Sequence, residues 1–355
     1  MLISVNTANG NYPVHIESGL LDSAGKIIAA AIPAKRIGVI TDENVHALYG
    51  KRLEKSLRDA GITPHEIIIP AGEKSKSFAS LEQICDALIS AGLDRSSGVI
   101  ALGGGVVGDV AGFAAAVYFR GIPLVQIPTS IVAQVDSAIG GKTAINSRLG
   151  KNLIGAFHQP SVVIADPALL QSLPDRERNE GFAEIIKHSI IRDAEMLNSL
   201  RCSSPTEWEA LIARNVKIKA DIVSADVFEK TGERALLNFG HTIGHGIEQA
   251  AGYGKLLHGE AISMGILAAC RLSEKHAGFS SKGTAQVVEA LKSFNLPIQL
   301  PADISSESIL DALKRDKKFS ECQIRFVLTR ALGSAFVSSD ITQVDIVEAI
   351  AQLRN

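Results

Sequence analysis

Up to Leu173-Pro174, short β-branched runs alternate with amphipathic stretches; beyond it the hydrophobic period turns almost wholly helical. Arg36–Thr41 (RIGVIT), His65–Ile69 (HEIII), Gly98–Leu102 (GVIAL), Leu124–Ile127 and Val162–Ile164 read as strands, and a helix is expected from Phe78 to Ala91. Strands spaced by helices of this length indicate βαβ units around a mainly parallel sheet. Downstream, GFAEIIKHSIIRDAEMLNSL, EWEALIARNVKIKADIV, GHTIGHGIEQA and HGEAISMGILAACRLSEKHA carry helical spacing. The expectation is an α/β nucleotide-binding domain over 1–174, followed by an all-helical metal- and substrate-binding domain over 175–355. A chain of 355 residues is long enough for two such cores.

The strand GVIAL runs into Gly103-Gly104-Gly105-Val106-Val107-Gly108-Asp109 and then an apolar helix. Glycines admit close backbone approach, and a helix N-terminus offers unpaired N–H groups to a diphosphate. The spacing is not GxGxxG with an acid about 20 residues on, so the usual dinucleotide fingerprint is absent. Other loops suited to the same sheet edge carry Asp42 and Asn44, where an acid can meet ribose hydroxyls, and Glu73 and Lys76 in PAGEKSKS. Gln126 to Asn152 mixes Asp136, Lys142, Asn146, Lys151 and Asn152 with glycines. That is a polar, close-approach surface suited to an anion. A P-loop is excluded, because GxxxxGK[ST] needs glycine where Asp136 stands.

In the helical half, His241 and His245 in LNFGHTIGHGIE are four apart and share a helix face; His258 opens the next helix. Glu184 and Lys187, three apart, share a face upstream. Three histidines and a glutamate fit a divalent site with N and O ligands, most simply zinc. A catalytic site needs three protein ligands and an open position, so these candidates exceed the need; spacing alone favours the His241–His245 pair. HExxH is absent, which removes the common metalloprotease helix.

A net charge of −2 gives no reason to expect nucleic acid as partner, and the longest apolar runs are too short to cross a bilayer. Four scattered cysteines without CxxC, and an N-terminus that does not read as a signal peptide, place the chain in the cytoplasm as an expectation.

PAGEKSKS, GGGVVGDVAGF, YFRG, QIPTSIVAQVDSAIGGKTAIN, LGKNLIGAFHQP, GFAEIIKH, LNFGHTIGHGIE, LHGEAISMGI and DKK run in order from about residue 70 to 330. Together they resemble the 3-dehydroquinate synthase family of sugar-phosphate cyclases, whose fold family also holds glycerol dehydrogenases and metal-dependent alcohol dehydrogenases. The resemblance implies conversion of 3-deoxy-D-arabino-heptulosonate 7-phosphate to 3-dehydroquinate and phosphate, with NAD+ and a divalent metal, zinc or cobalt. Carried over by position, it implies metal ligands at Glu184, His241 and His258. Asp136, Lys142, Lys187, Asn238 and His245 fall on catalytic positions. Arg120, Asn152, Lys219, Arg234, Lys317 and Lys318 fall on substrate-binding positions, Arg120 crossing a homodimer interface. Cofactor contacts fall on Asp42, Asn44, Glu73, Lys76, Gly104, Gly105, Val106, Asp109, Thr129, Ser130, Lys142 and Lys151. Ser130 stands where a threonine is usual and keeps the hydroxyl; Phe182 replaces a methionine. DVFEKTGER, between Lys219 and Arg234, is one residue longer than the common pattern. Alternatives are a sister cyclase, making aminodehydroquinate or acting on sedoheptulose 7-phosphate, and a simple polyol dehydrogenase.

Overall fold

The computed structural model describes residues 1–7, 10–200, 204–252, 254–314 and 325–354. The chain divides into two compact units, Met1–Leu173 with Cys202–Val227, and Pro174–Arg201 with Phe228–Asn355.

The first unit contains β1 (Leu2–Thr7), β2 (Gly10–Ile16), β3 (Arg36–Asp42), β4 (Thr63–Ile69), β5 (Gly98–Gly103), β6 (Leu124–Pro128), β7 (Lys142–Ser147), β8 (Gly150–Phe157) and β9 (Val162–Ala165). Seven of them form one sheet in the order β1-β2-β9-β6-β5-β3-β4. Only β1–β2 is antiparallel; every other neighbouring pair is parallel. A parallel sheet needs cover on both faces, and the side-chain alternation supplies it. Ile100 and Leu102 of β5 join Leu21, Ile28, Leu53 and Leu57 in one core. Val99 and Ala101, pointing the other way, join Ile84, Leu88, Val107 and Val110 in a second. From β3 the sheet grows outward to β4 on one side, and through β5, β6 and β9 on the other. The reversal of strand order therefore lies between β3 and β5, where open α/β sheets leave a crevice beyond the strand C-termini.

One expectation for this unit is corrected, and one strand pairing was not foreseen. The polar middle segment, read as a surface suited to an anion, contains an antiparallel hairpin of β7 and β8 with Lys142 opposite Phe157. Thr143, Ala144 and Ile145 are buried, so a packed strand hides among glycines and lysines. The helix Pro205–Ala225 groups with the sheet and not with the helical half. It packs on β1 and on the turn Ala133–Ser137, and its Glu209 Oε1 accepts the Ser18 N–H at 2.9 Å. Periodicity finds such a helix but not the core it covers.

The second unit is built on helices Asp175–Arg192, His241–Ala251, His258–Ala277, Ser281–Ser293, Ser306–Lys314 and Gln343–Gln352. Ile243, Ile247, Met264, Leu267, Ile309, Ile346 and Ile350 share its core. It is not all-helical: β10 (Phe326–Thr329) and β11 (Ala335–Ser338) form a short antiparallel pair. No described helix is long and apolar enough to cross a membrane.

Candidate functional site

Four loops of the first unit leave neighbouring parallel strands at their C-terminal ends. Asp42 ends β3 opposite Ile69 of β4, Thr41 pairs with Leu102 of β5, and Gly103 pairs with Pro128 of β6. Strand register thus brings together Asp42 and Asn44, Glu73 and Lys76, Gly104 to Val106, and Thr129 and Ser130. Asp42 caps the turn Glu43–Val45; its Oδ1 accepts from the N–H groups of Asn44 and Val45 at 2.9 and 3.0 Å. Gly104 caps the helix Gly105–Val117 without any side-chain bond, so the first N–H groups of that helix have no cap. The glycines divide their work. A Cβ on Gly103 would stand 2.6 Å from Val107, whereas one on Gly104 would meet only Ser130 Oγ at 3.4 Å. Gly103 therefore serves strand–helix packing, and Gly104 leaves backbone open. None of Gly103, Gly104 and Gly105 has a positive φ, so turn geometry does not demand them.

Beside this edge the hairpin joins a polar network. Lys76 is buried; its Nζ pairs with Asp109 Oδ2 at 2.6 Å and donates to Asn152 Oδ1. Asn146 Nδ2 donates to Glu73 Oε1 at 2.8 Å, and Lys151 Nζ lies 3.4 Å from the same oxygen. Burial pushes the Asp109 carboxyl up, and Lys76 pulls it back part of the way. Asn152 holds φ 56°, a strained setting for a residue with a side chain, fixed by its N–H donating to Asn146 Oδ1 at 3.0 Å. Asp136 is paired with Lys219, whose Nζ also donates to the Asp136 carbonyl at 2.7 Å. Lys142 opens β7 and is exposed. Arg120 is exposed with φ 68°, next to Phe119 at φ 48°.

In the second unit, glycines set the distances between helices. A Cβ on Gly265 would stand 2.1 Å from Gly240 O, and one on Gly259 would stand 2.0 Å from Glu180 O. The helices bearing His241, His258 and Glu184 approach one another because no side chain intervenes. Glu184 Oε1 lies 3.3 Å from His241 Nε2 and 3.4 Å from His258 Nε2. One ligand nitrogen from each of His241, His245 and His258 fits within a 4.8 Å sphere of mutual distances. Two ligand atoms on a tetrahedral ion with bonds of about 2.0–2.2 Å lie about 3.3–3.6 Å apart. His241 Nδ1 sits 3.1 Å from Phe239 O, which accepts; a neutral ring with its proton there presents the Nε2 lone pair to Glu184, an arrangement that a cation between them satisfies. Neither buried oxygen of Glu184 has a well-aligned hydrogen-bond donor. These residues fit a divalent ion.

Electrostatics agree. Burial alone would raise the Glu184 carboxyl, but Lys187, paired with it three residues on, and His241 hold it well below the usual carboxylate range. Burial keeps His241 below its ordinary value, in the neutral form that ligates metal. Burial also opposes charge on His258, yet Glu184 and Glu248, beside its two ring nitrogens, push it up to about 10. Negative charge that holds a proton so firmly also attracts a divalent cation.

Of the remaining sequence candidates, Asn238 Nδ2 donates to Glu229 Oε1 at 3.1 Å, Arg234 is buried at 2% exposure, and His245 is exposed. Lys317 and Lys318 lie outside the described residues. Sequence reasoning missed Glu248, 3.5 Å from His258 Nδ1, and Glu180, whose Oε2 accepts the Gly259 N–H at 2.7 Å. Glu248 stands seven residues after His241 and three after His245, spacing that places all three on one helix face.

Known proteins resemble this chain over most of its length. Family models described as 3-dehydroquinate synthase N-terminal and C-terminal match residues 66–180 and 181–319. A 3-dehydroquinate synthase of Desulforamulus reducens is 41% identical, covering 99% of both chains. A solved 2-epi-5-epi-valiolone synthase from Streptomyces hygroscopicus, with NAD+ and Zn2+ bound, is 30% identical with a TM-score of 0.88, covering 96% of each chain. A solved 2-deoxy-scyllo-inosose synthase, complexed with carbaglucose-6-phosphate, NAD+ and Co2+, is 25% identical with a TM-score of 0.89, covering 99% of each. On the unbroken match from residue 66 to 319 and on identity sustained end to end, the chain belongs to the 3-dehydroquinate synthase family.

Proposed function

We propose that this protein converts 3-deoxy-D-arabino-heptulosonate 7-phosphate to 3-dehydroquinate and phosphate, by transient oxidation, phosphate elimination, reduction and intramolecular aldol closure. The observation that carries this reading is the Glu184–His241–His258 cluster, in a chain that shares 41% of its residues with a 3-dehydroquinate synthase over nearly its whole length. When bound, NAD+ carries the hydride and a divalent metal, zinc or cobalt, polarises the substrate hydroxyl.

The chain's own residues bind, orient and move protons. Glu184, His241 and His258 hold the metal, and Lys187 fixes Glu184 by its ion pair. Gly104, Gly105 and Val106 offer backbone to the diphosphate, while Asp42, whose cap uses Oδ1, would receive the ribose hydroxyls. Thr129 and Ser130 flank that edge; Glu73, Lys76, Asp109 and Lys151 hold its polar wall. Lys142 and Asn152, with one of Lys317 and Lys318, receive phosphate. Lys219 and Arg234 receive the carboxylate, and Asp136 and Asn238 the ring hydroxyls. His245, exposed and 5.2 Å from His241 between ring centres, assists proton transfer. Arg120 reaches a second copy in a homodimer. In support, Phe119 and Arg120 both hold positive φ, a sparsely populated setting, and Phe119, Leu153 and Phe157 are exposed apolar groups. The place of work is the cytoplasm, in keeping with Cys85 and Cys270 as free thiols.

The test is to incubate metal-loaded protein with the heptulosonate phosphate and NAD+ and to follow phosphate, product and absorbance of NADH. Phosphate release with dehydroquinate and no net NADH is expected. Net NADH from glycerol without phosphate release would overturn the proposal.

A further inference from the structure

The two histidines assigned to the metal are held from behind by different acceptors. His241 Nδ1 faces the neutral carbonyl of Phe239 at 3.1 Å. His258 Nδ1 faces a carboxylate, Glu248 Oε2, at 3.5 Å. Both Nε2 atoms face the same oxygen, Glu184 Oε1. We infer that Glu248 is the positioning residue for His258: its carboxylate holds the Nδ1–H, fixes the ring orientation and makes Nε2 the stronger ligand. The inference rests on the metal assignment proposed above.

Three observations support it. Glu248 is only 6% exposed, and carboxylates are seldom buried to that degree unless a cationic or donor group faces them. His258 is the first residue of its helix, and its ring is about a third exposed, at 35%. A ring so placed can turn over and exchange its two nitrogens unless a partner distinguishes them. Glu248 supplies the distinction, because an ionised carboxylate accepts only from the protonated nitrogen. Lastly, Lys187 is ion-paired with Glu184 and offsets the one carboxylate of the proposed ligand set. Glu248 restores negative charge on the far side of a ligand imidazole, which raises the basicity of that ring toward metal.

The experiment measures zinc affinity of the full chain by competition with a chromophoric chelator, beside the melting temperature of the metal-free protein. Glu248→Gln keeps an acceptor but loses the charge, and is expected to weaken zinc about 10-fold; Glu248→Ala loses both and is expected to weaken it about 100-fold. The metal-free Gln variant should melt close to wild type. A purely structural role would instead lower the melting temperature of both variants and leave zinc affinity unchanged. If the Ala variant does not fold, the Gln variant decides. His241→Ala and His258→Ala are measured alongside. Wild-type zinc affinity in the Glu248 variants, with zinc lost in both histidine variants, overturns the role of Glu248 alone. Zinc retained by His258→Ala overturns the ligand assignment beneath it.

Discussion

The strand-end edge of the first unit and the histidine cluster of the second are built on opposite principles. The edge is assembled by strand order: register alone brings the loops after β4, β3, β5 and β6 side by side, and much of what they offer is backbone. The cluster is assembled by side chains on three helices whose spacing depends on a few glycines. In the edge, each loop is one of several contributors. In the cluster, each ligand is a large share of the whole. Single substitutions should therefore act gradually on the first and sharply on the second.

The sharpest break is expected at His241. His241→Ala should strip the metal and reduce kcat by about 10³-fold or more, several kcal/mol of lost charge stabilisation. His245→Ala should keep full metal content while losing rate. Metal analysis of the two purified variants checks this. Metal retained in the first and lost in the second would replace His241 by His245 in the ligand set, a choice that the 4.8 Å grouping of the three histidines leaves geometrically open.

Sequence was legible where a signal is local. The runs RIGVIT and GVIAL lie within β3 and β5, because an apolar parallel strand is a continuous β-branched run. The loops after them followed from chain order. Three things were not legible, each for a physical reason. The β7–β8 hairpin lies outside the main sheet and carries glycine, lysine and asparagine, residues that otherwise signal a loop. The helix Pro205–Ala225 shows its apolar face in the sequence but not the surface it covers. At the cluster, the i, i+4 spacing favours His241 with His245, yet Glu184 Oε1 approaches His241 and His258 from a separate helix. Helix-to-helix distance is set by Gly240, Gly244, Gly259 and Gly265, and nothing in periodicity reports it. Glu248 could have been found, since it shares the helix face of His241 and His245.

A second break tests the edge through the buried Lys76–Asp109 ion pair. Lys76→Met should destabilise the protein by about 1–3 kcal/mol near neutral pH, below the 3–5 typical of a fully buried pair because the Asp109 side chain is still 20% exposed. The loss should depend on pH with a definite sign. Burial already places the folded-state value of Asp109 above its unfolded value, and losing Lys76 raises it further. A carboxyl raised on folding contributes stability below its unfolded value and loses it as pH rises through the folded value. The variant should thus approach wild type in acid and fall away as Asp109 ionises. Urea unfolding at several pH values reads this directly; a loss independent of pH would mean that packing, not charge, is what Lys76 supplies.

The smallest break sharpens the comparison most, because it makes the same chemical change in both regions. Gly259→Ala places a methyl carbon 2.0 Å from a backbone oxygen of the Glu180 helix, which cannot yield as a side chain tip can. It should cost about 1–3 kcal/mol, and zinc affinity should fall with it as His258 shifts. Gly104→Ala places its methyl 3.4 Å from Ser130 Oγ, at an ordinary φ of −74°. That position has room, so stability should change by less than about 0.5 kcal/mol, as for a substitution that touches no packed group. What the methyl removes is the close approach of a diphosphate to the N–H groups that follow, and the dissociation constant for NAD+ should rise several-fold. Melting curves and NAD+ titrations of the two variants separate the cases: one glycine is present for a neighbouring helix, the other for a ligand. Equal melting losses with unchanged NAD+ affinity would show that the glycine run after β5 is packing, and would shift the weight of nucleotide binding onto the loops of Asp42 and Ser130.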